Sequence, residues 1–170
     1  MLADTHGRPH PDALGLVAAL APDAILHAGD LGDPGCLAPF AALAPLHAVR
    51  GNIDPPGAPY PDALRLVIAD AAGATRLSLL LLHIAVYGPR LRAEIHRDAV
   101  ALGADLVVCG HSHTPLVARD RGVAVFNPGS VGPRRFGLPI TFGVLDVSAR
   151  GVAMRHIDCT TGAAWDPPRP

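Results

Sequence analysis

Three features of the sequence predict an α/β fold in which two mixed β-sheets pack face to face with helices on the outside. Short apolar runs alternate with helical spacing through the first third, the pattern of a parallel sheet covered by helices. From Leu116 onward strand-like runs follow one another directly. The chain has 170 residues, 49% hydrophobic and 17% charged, enough for a single domain over 1–170 with one core and far from a disordered composition.

Pro11 to Leu20 opens on a proline suited to a first helical turn and spaces Leu14, Val17, Ala18 and Leu20 for a helix. Asp23 to His27, closed by Gly29, predicts a strand, Gly35 to Leu43 a helix, and Leu46 to Val49 a strand before Gly51. Pro55 to Pro61 is a surface loop, because proline neither donates to a ladder nor continues a helix. Leu64 to Ala69 and Thr75 to His83 predict a hairpin turning at Ala71-Ala72-Gly73, with Leu77 to Leu82 apolar enough to be buried on both faces. Arg90 to Leu102 predicts a helix and Asp105 to Cys109 a strand. The runs Leu116 to Arg119, Val123 to Phe126, Thr141 to Val147 and Val152 to Ile157 predict an antiparallel meander. The end, from about residue 160 and above all Asp166 to Pro170, is expected to fray.

The net charge is −1 and no run of Lys or Arg occurs, so long nucleic acid is disfavoured as a partner. Cys36, Cys109 and Cys159 are odd in number and lack CxxC spacing, which argues against a thiolate metal or redox site and for a reduced, cytoplasmic protein. No segment reaches the ~20 apolar residues of a membrane span. Met1 to His6 lacks a charged leader followed by an apolar stretch, so the expectation is a protein that is neither exported nor membrane-bound.

Ligands of open α/β sheets bind beyond the carboxyl ends of the strands. Asp4 and His6 follow the first segment, Asp30 the second, Asn52 the third, His83 the run Thr75 to Leu82, and His111 with His113 the run Asp105 to Cys109. Two carboxylates a few ångströms apart repel by about 4 kcal/mol at an effective dielectric of 20, and cations turn that repulsion into attraction. Asp, Asn and His without cysteine suit Mn²⁺, Fe²⁺, Zn²⁺ or Mg²⁺. So many ligands exceed the needs of one tetrahedral ion, whereas two ions about 3.5–4 Å apart that share a carboxylate would use them all.

The motifs occur in the order Asp4-Thr5-His6-Gly7, Gly29-Asp30, Gly51-Asn52-Ile53-Asp54, His83, Gly110-His111-Ser112-His113 and Asn127-Pro128-Gly129-Ser130. From Met1 to roughly Asp146 the chain resembles the small bacterial and archaeal phosphodiesterases of the calcineurin-like metallophosphoesterase superfamily. The resemblance implies a four-layer α/β/β/α sandwich and a phosphodiesterase or phosphatase using two divalent ions, with Mn²⁺ the first choice and Fe, Zn, Mg, Ni or Co the alternatives. It places Asp4, His6, Asp30 and His113 on one ion and Asp30, Asn52, His83 and His111 on the other, with Asp30 bridging. A hydroxide between the ions would attack the phosphorus of a small phosphoester, and Asn52, His83 and Asp54 would take part in catalysis. Homodimers or homotetramers through sheet edges are also implied.

Several positions carry a second reading. Asp30 could cap the helix that follows it, Asn52 could serve its turn, and His83 could be a core histidine. Asp54 stands where another branch of the family places a catalytic histidine, and it either orients water or a histidine or stabilises the turn. Arg134 and Arg135 would clamp substrate phosphate or remain solvated. Ala85 replaces a second histidine that the family often carries, and Tyr87-Gly88 follow as in the family. Relatives carry several apolar residues before Asp-x-His; here Met1, Leu2 and Ala3 precede Asp4, so either the start lies upstream or the first strand is short. His10, His27, His47, His96 and His156 are left unassigned, with surface or structural places expected for most of them. The competing function is a protein-binding scaffold of the retromer-subunit type, and a nuclease acting on long DNA is disfavoured by charge.

Overall fold

The computed structural model describes residues 1–168. Its elements are α1 (Ala13–Ala19), β1 (Ile25–His27), a 3-10 turn (Pro34–Leu37) running into α2 (Ala38–Ala41), β2 (Leu46–Ala48), β3 (Ala63–Ala69), β4 (Thr75–Leu82), β5 (Val86–Tyr87), β6 (Arg90–Leu91), α3 (Ala93–Ala101), β7 (Leu106–Val108), β8 (Leu116–Asp120), β9 (Val123–Asn127), β10 (Thr141–Ser148), β11 (Gly151–Asp158) and β12 (Ala164–Trp165).

One sheet is assembled around the start of the chain. Strands β1 and β2 pair in parallel, and Leu2 bridges His27 in parallel on the other side of β1. Met1 exchanges two hydrogen bonds with Gly143, donating at 2.7 Å and accepting at 2.8 Å, which attaches β10. Strands β10, β11 and β12 follow in antiparallel order. A cavity of about 560 Å³ lies near the start of β1, lined among others by Met1, Ile25, Leu66, Ile68, Leu79 and Leu145.

The second sheet has the order β3-β4-β7-β9-β8, with β4, β7 and β9 parallel and both outer strands antiparallel. Its strand β4 is buried from Leu77 to Leu82. Alternation divides these side chains: Leu77, Leu79 and Leu81 enter the layer between the sheets with Leu26, Val49, Leu106, Val108 and Phe126. Leu80 and Leu82 face the other way, in the cluster that contains Ala99 of α3. A third cluster packs Ala13 and Val17 of α1 and Phe40 of α2 against Leu2, Ile25 and Phe142 of the first sheet. These are the predicted four layers.

Four sequence expectations change. The helix expected over Gly35 to Leu43 is a 3-10 turn and one short α-turn, because Pro39 has no N–H for a continuous ladder. The helix expected from Arg90 starts at Ala93, and Tyr87 pairs with Arg90 across Gly88-Pro89. Gly88 has φ +55°, and glycine first in a two-residue turn suits a type II′ hairpin. The C-terminal strands do not form one meander, since β8 and β9 join the second sheet and β10 to β12 the first. The end expected to fray is paired as far as Trp165, and Arg169 and Pro170 lie outside the described residues. Among the described residues no helix is long and apolar enough to cross a membrane.

Candidate metal centre

Short loops at the carboxyl ends of the first segment, β1, β2, β4 and β7 deliver the expected side chains to one place. Asp4, His6, Asp30, His111 and His113 all have positive φ, between 49° and 67°. That left-handed region is uncommon for residues with a Cβ and costs on the order of 1–3 kcal/mol each, so such strain persists where surrounding structure enforces it. The loops are laced together by the backbone. Asp4 N–H donates to Gly29 O and His6 N–H to Asp30 O, both at 3.0 Å, and Gly110 N–H donates to His83 O at 3.0 Å. His111 N–H donates to the Asp4 carboxylate at 3.1–3.2 Å. Gly51 is needed at its position, because a Cβ there would strike the Asp30 backbone nitrogen and carboxylate.

The side chains form two groups that share Asp30. In one, ligand atoms of Asp4, His6, Asp30 and His113 lie within 4.8 Å of one another; in the other, those of Asp30, His83 and His111 do. Nε2 of His6 is 3.8 Å from Asp30 Oδ2 and 3.3 Å from Nε2 of His113, which is 3.4 Å from Asp4 Oδ1. Nε2 of His83 is 3.1 Å from Asp30 Oδ1. Asn52 Oδ1 faces His83 Nε2 at 3.0 Å and His111 Nδ1 at 2.8 Å, which adds a neutral oxygen to the second group. His83 Nδ1 donates to Ala28 O at 2.7 Å, the outer contact that orients a ring whose other nitrogen faces a cation site.

Charge is held here at a cost. Burial, with Asp30 adding to it, pushes the Asp4 carboxyl up to about 7 despite the opposing His83 charge. Burial also raises Asp30, but the His83 hydrogen bond, the Ile53 N–H and the neighbouring imidazoles outweigh it and leave that carboxyl below its usual range. Burial opposes protonation of His83, yet its bonds to Asp30 and Ala28 O and the charges of Asp4 and Asp30 hold its pKa up. Burial, followed by Arg135 and His6, takes His113 down to about 4. His113 Nδ1 is buried without a hydrogen-bond partner among the described residues. The sulfur-free set of carboxylates, imidazoles and one amide oxygen suits hard or borderline divalent ions, so the residues of both groups fit such cations.

The calcineurin-like phosphoesterase superfamily domain matches residues 1–150. The chain belongs to that superfamily. It is similar to a probable metallophosphoesterase of Methanothermobacter thermautotrophicus, 32% identical over 106 residues, covering 62% of this chain and 59% of the relative. Similarity to phosphodiesterase YfcE of Escherichia coli strain K12 is 33% over 109 residues, covering 58% of this chain and 51% of the relative. The aligned part therefore spans between half and three-fifths of these curated relatives. Among solved structures the fold matches a Vps29 variant from Entamoeba histolytica with TM-score 0.72 at 17% identity, over 96% of this chain and 93% of the other. It also matches Yfce, a phosphoesterase from E. coli, with TM-score 0.69 at 22% identity, over 97% and 94%.

Within this metallophosphoesterase fold some expected residues act otherwise. Asp54 does not present a free carboxylate to the centre. Its Oδ2 accepts Leu31 N–H at 3.1 Å and Gly51 N–H at 2.7 Å, and its Oδ1 accepts Gly32 N–H at 3.0 Å. It clamps the Asp30 loop to the Asn52 loop, the turn-stabilising alternative. Asp30 is not the helix cap, a task done by Asp33 through Gly35 N–H. Arg134 bonds Leu138 O of its own loop, whereas the charge of Arg135 acts on Asp4, His6 and His113. Ala85 is buried in the cluster beside α3.

Two residues of the Asn127-Pro128-Gly129-Ser130 motif, given no role from the sequence, support the loops. Asn127 Nδ2 donates to Gly110 O at 2.7 Å and Ser112 Oγ at 3.1 Å, steadying the turn that carries His111 and His113. Ser130 Oγ donates to Asp4 O at 3.0 Å. The signal for both was the Asn-Pro-Gly-Ser turn. Of the histidines left unassigned, His27 and His156 are buried.

Proposed function

We propose that the chain is a phosphodiesterase for small phosphoesters, working with two divalent ions, Mn²⁺ first among them. The observation that carries this reading is the pair of ligand groups joined at Asp30. Asp4, His6, Asp30 and His113 would hold one ion, and Asp30, Asn52, His83 and His111 the other. Bound divalent ions supply Lewis acidity toward phosphate oxygens and a water whose pKa falls toward neutrality.

The chain's own residues define the rest. Asp4, Asp30, His83 and His113 are buried, while Asn52 and His111 are exposed, so substrate approaches on the Asn52–His111 side. Asn52 offers its oxygen to the centre without a third carboxylate, which keeps that face attractive to an anion. Arg135 lies exposed with its charge felt at the first group, and there it would attract a phosphate oxygen. Asp54 acts from behind, by holding the two central loops together.

The test is hydrolysis of bis(p-nitrophenyl) phosphate by chelator-treated chain before and after Mn²⁺ addition. Activity should appear only with metal and fall at least about 100-fold in Asp30→Asn and His111→Ala, the scale of losing groups that stabilise the transition state. Full activity in either variant rejects the reading. Metal binding alone does not separate it from the scaffold alternative, because one Vps29 structure of similar fold is a Zn²⁺ complex. A metal-loaded chain that hydrolyses no phosphoester yet holds a stoichiometric protein partner would favour the scaffold.

A further inference from the structure

One fully buried titratable side chain outside the ligand set spans two of the loops that carry ligands. His27 closes β1 and is 0% exposed, as is Thr5. Gly29 N–H donates to His27 Nδ1 at 3.2 Å, so the ring proton sits on Nε2, which faces the Thr5 hydroxyl. The imidazole thereby links Thr5, lodged between Asp4 and His6, to Gly29, the residue before Asp30.

Its anchorage is rigid. The backbone of His27 is bridged to Leu2 and accepts Val49 N–H at 3.0 Å, so the ring projects from the middle of the first sheet. Gly29 is packed closely against His83 and Gly51, so that an added Cβ would lie 2.7 Å from His83 Nδ1 and 2.9 Å from Gly51 N. Asp4, His6 and Asp30 all hold left-handed backbone around this link, with φ of 55°, 49° and 57°. A side chain on such a backbone swings through a large arc when φ relaxes, so whatever fixes the loop also fixes where the ligand atoms point.

We propose that His27 is a positioning residue for the metal centre: a neutral imidazole, protonated on Nε2, that ties Thr5 to Gly29 and holds Asp4, His6 and Asp30 convergent. The assignment rests on the reading of those residues as metal ligands.

The test compares Thr5→Val, which removes the hydroxyl but keeps the branched shape, with Thr5→Ser, His27→Leu and the Thr5→Val/His27→Leu pair. Mn²⁺ affinity is measured by titration calorimetry, and chelator-treated chains are melted to verify folding. Long-range ¹H–¹⁵N spectra of the imidazole report which nitrogen carries the proton. Thr5→Val and His27→Leu should each weaken Mn²⁺ binding by roughly 10–100-fold, the usual consequence of losing an outer contact. Thr5→Ser should bind like the parent, and the double variant no worse than the weaker single one, because both remove the same link. Parent-like Mn²⁺ affinity in a folded Thr5→Val chain, fully additive losses, or a proton on Nδ1 would overturn the assignment. Should His27→Leu not fold, the Thr5→Val and Thr5→Ser comparison decides alone. A parent chain that binds no divalent ion overturns the reading of the centre and this assignment with it; a parent that binds, beside a Thr5→Val chain that binds equally, overturns this assignment alone.

Discussion

Asp4 is buried to 0% exposure, with its carboxyl pushed up to about 7 by burial and by Asp30. Because the folded value lies above the ordinary aspartate value of 3.8, the metal-free folded chain retains a proton that the unfolded chain has released. That stability is complete below about pH 3.8 and is lost as pH rises toward 7, roughly 4 kcal/mol at 1.36 kcal/mol per unit. His27 has the opposite sign. Burial takes it down to about 3 from 6.5, so its contribution is present above pH 6.5 and lost as pH falls toward 3. The two slopes oppose each other in the parent, and a difference measurement separates them. In chelator-treated chains, Asp4→Asn should melt progressively higher than the parent as pH is raised from 4 to 7, while binding Mn²⁺ more weakly. A melting difference that does not change with pH would contradict this account. The residues proposed as ligands could be picked out in the sequence because their motifs are local: Asp4-x-His6 and His111-x-His113 each carry two donors within three residues. The clamp by Asp54 was not, since its three donors come from Leu31, Gly32 and Gly51, and only the fold brings the first two near it.

Glycines separate structural freedom from function among the elements. Gly51 ends the loop after β2 against Asp30, and an added Cβ at Gly110 would lie 2.8 Å from Asp4 Oδ2. Gly51→Ala should therefore displace the shared carboxylate and lower Mn²⁺ affinity at least about tenfold, as other changes behind metal ligands do. Titration of the folded variant decides it, and parent-like affinity would show that the loop yields without moving Asp30. Gly15 is the contrast: it is exposed in α1, has ordinary helical φ and would bring nothing within 4 Å of a new Cβ. Gly15→Ala should stabilise the chain by about 0.5–1 kcal/mol, the helix-interior cost of glycine, read from urea unfolding with activity unchanged. Element types followed from hydrophobic period, as in β4 and α1. Boundaries failed where a residue acts through its absent N–H or its turn, at Pro39 and at Gly88-Pro89.

At the scale of the molecule, the layer between the sheets is one of three apolar clusters, and it holds the two sheets together so that both sets of strand ends surround the centre. Leu81 is 0% exposed in that layer, two residues before His83. Leu81→Ala should cost about 2–5 kcal/mol, whereas Leu66→Ala, partly exposed and beside the open cavity near Met1, should cost less. Urea denaturation of both variants measures the difference, and equal losses would show that the cavity closes in solution.

The sequence by itself determined the α/β class, two stacked sheets with helices outside and, through the order of its motifs, the resemblance to the metallophosphoesterase superfamily, because periodicity and short motifs are written in neighbouring residues. Only the tertiary structure decided that the C-terminal strands divide between two sheets, that Asp54 is a clamp and that His27 joins two ligand loops. Those outcomes depend on groups distant in sequence meeting in space, where burial and the need to satisfy every buried donor choose among arrangements that local pattern leaves equal.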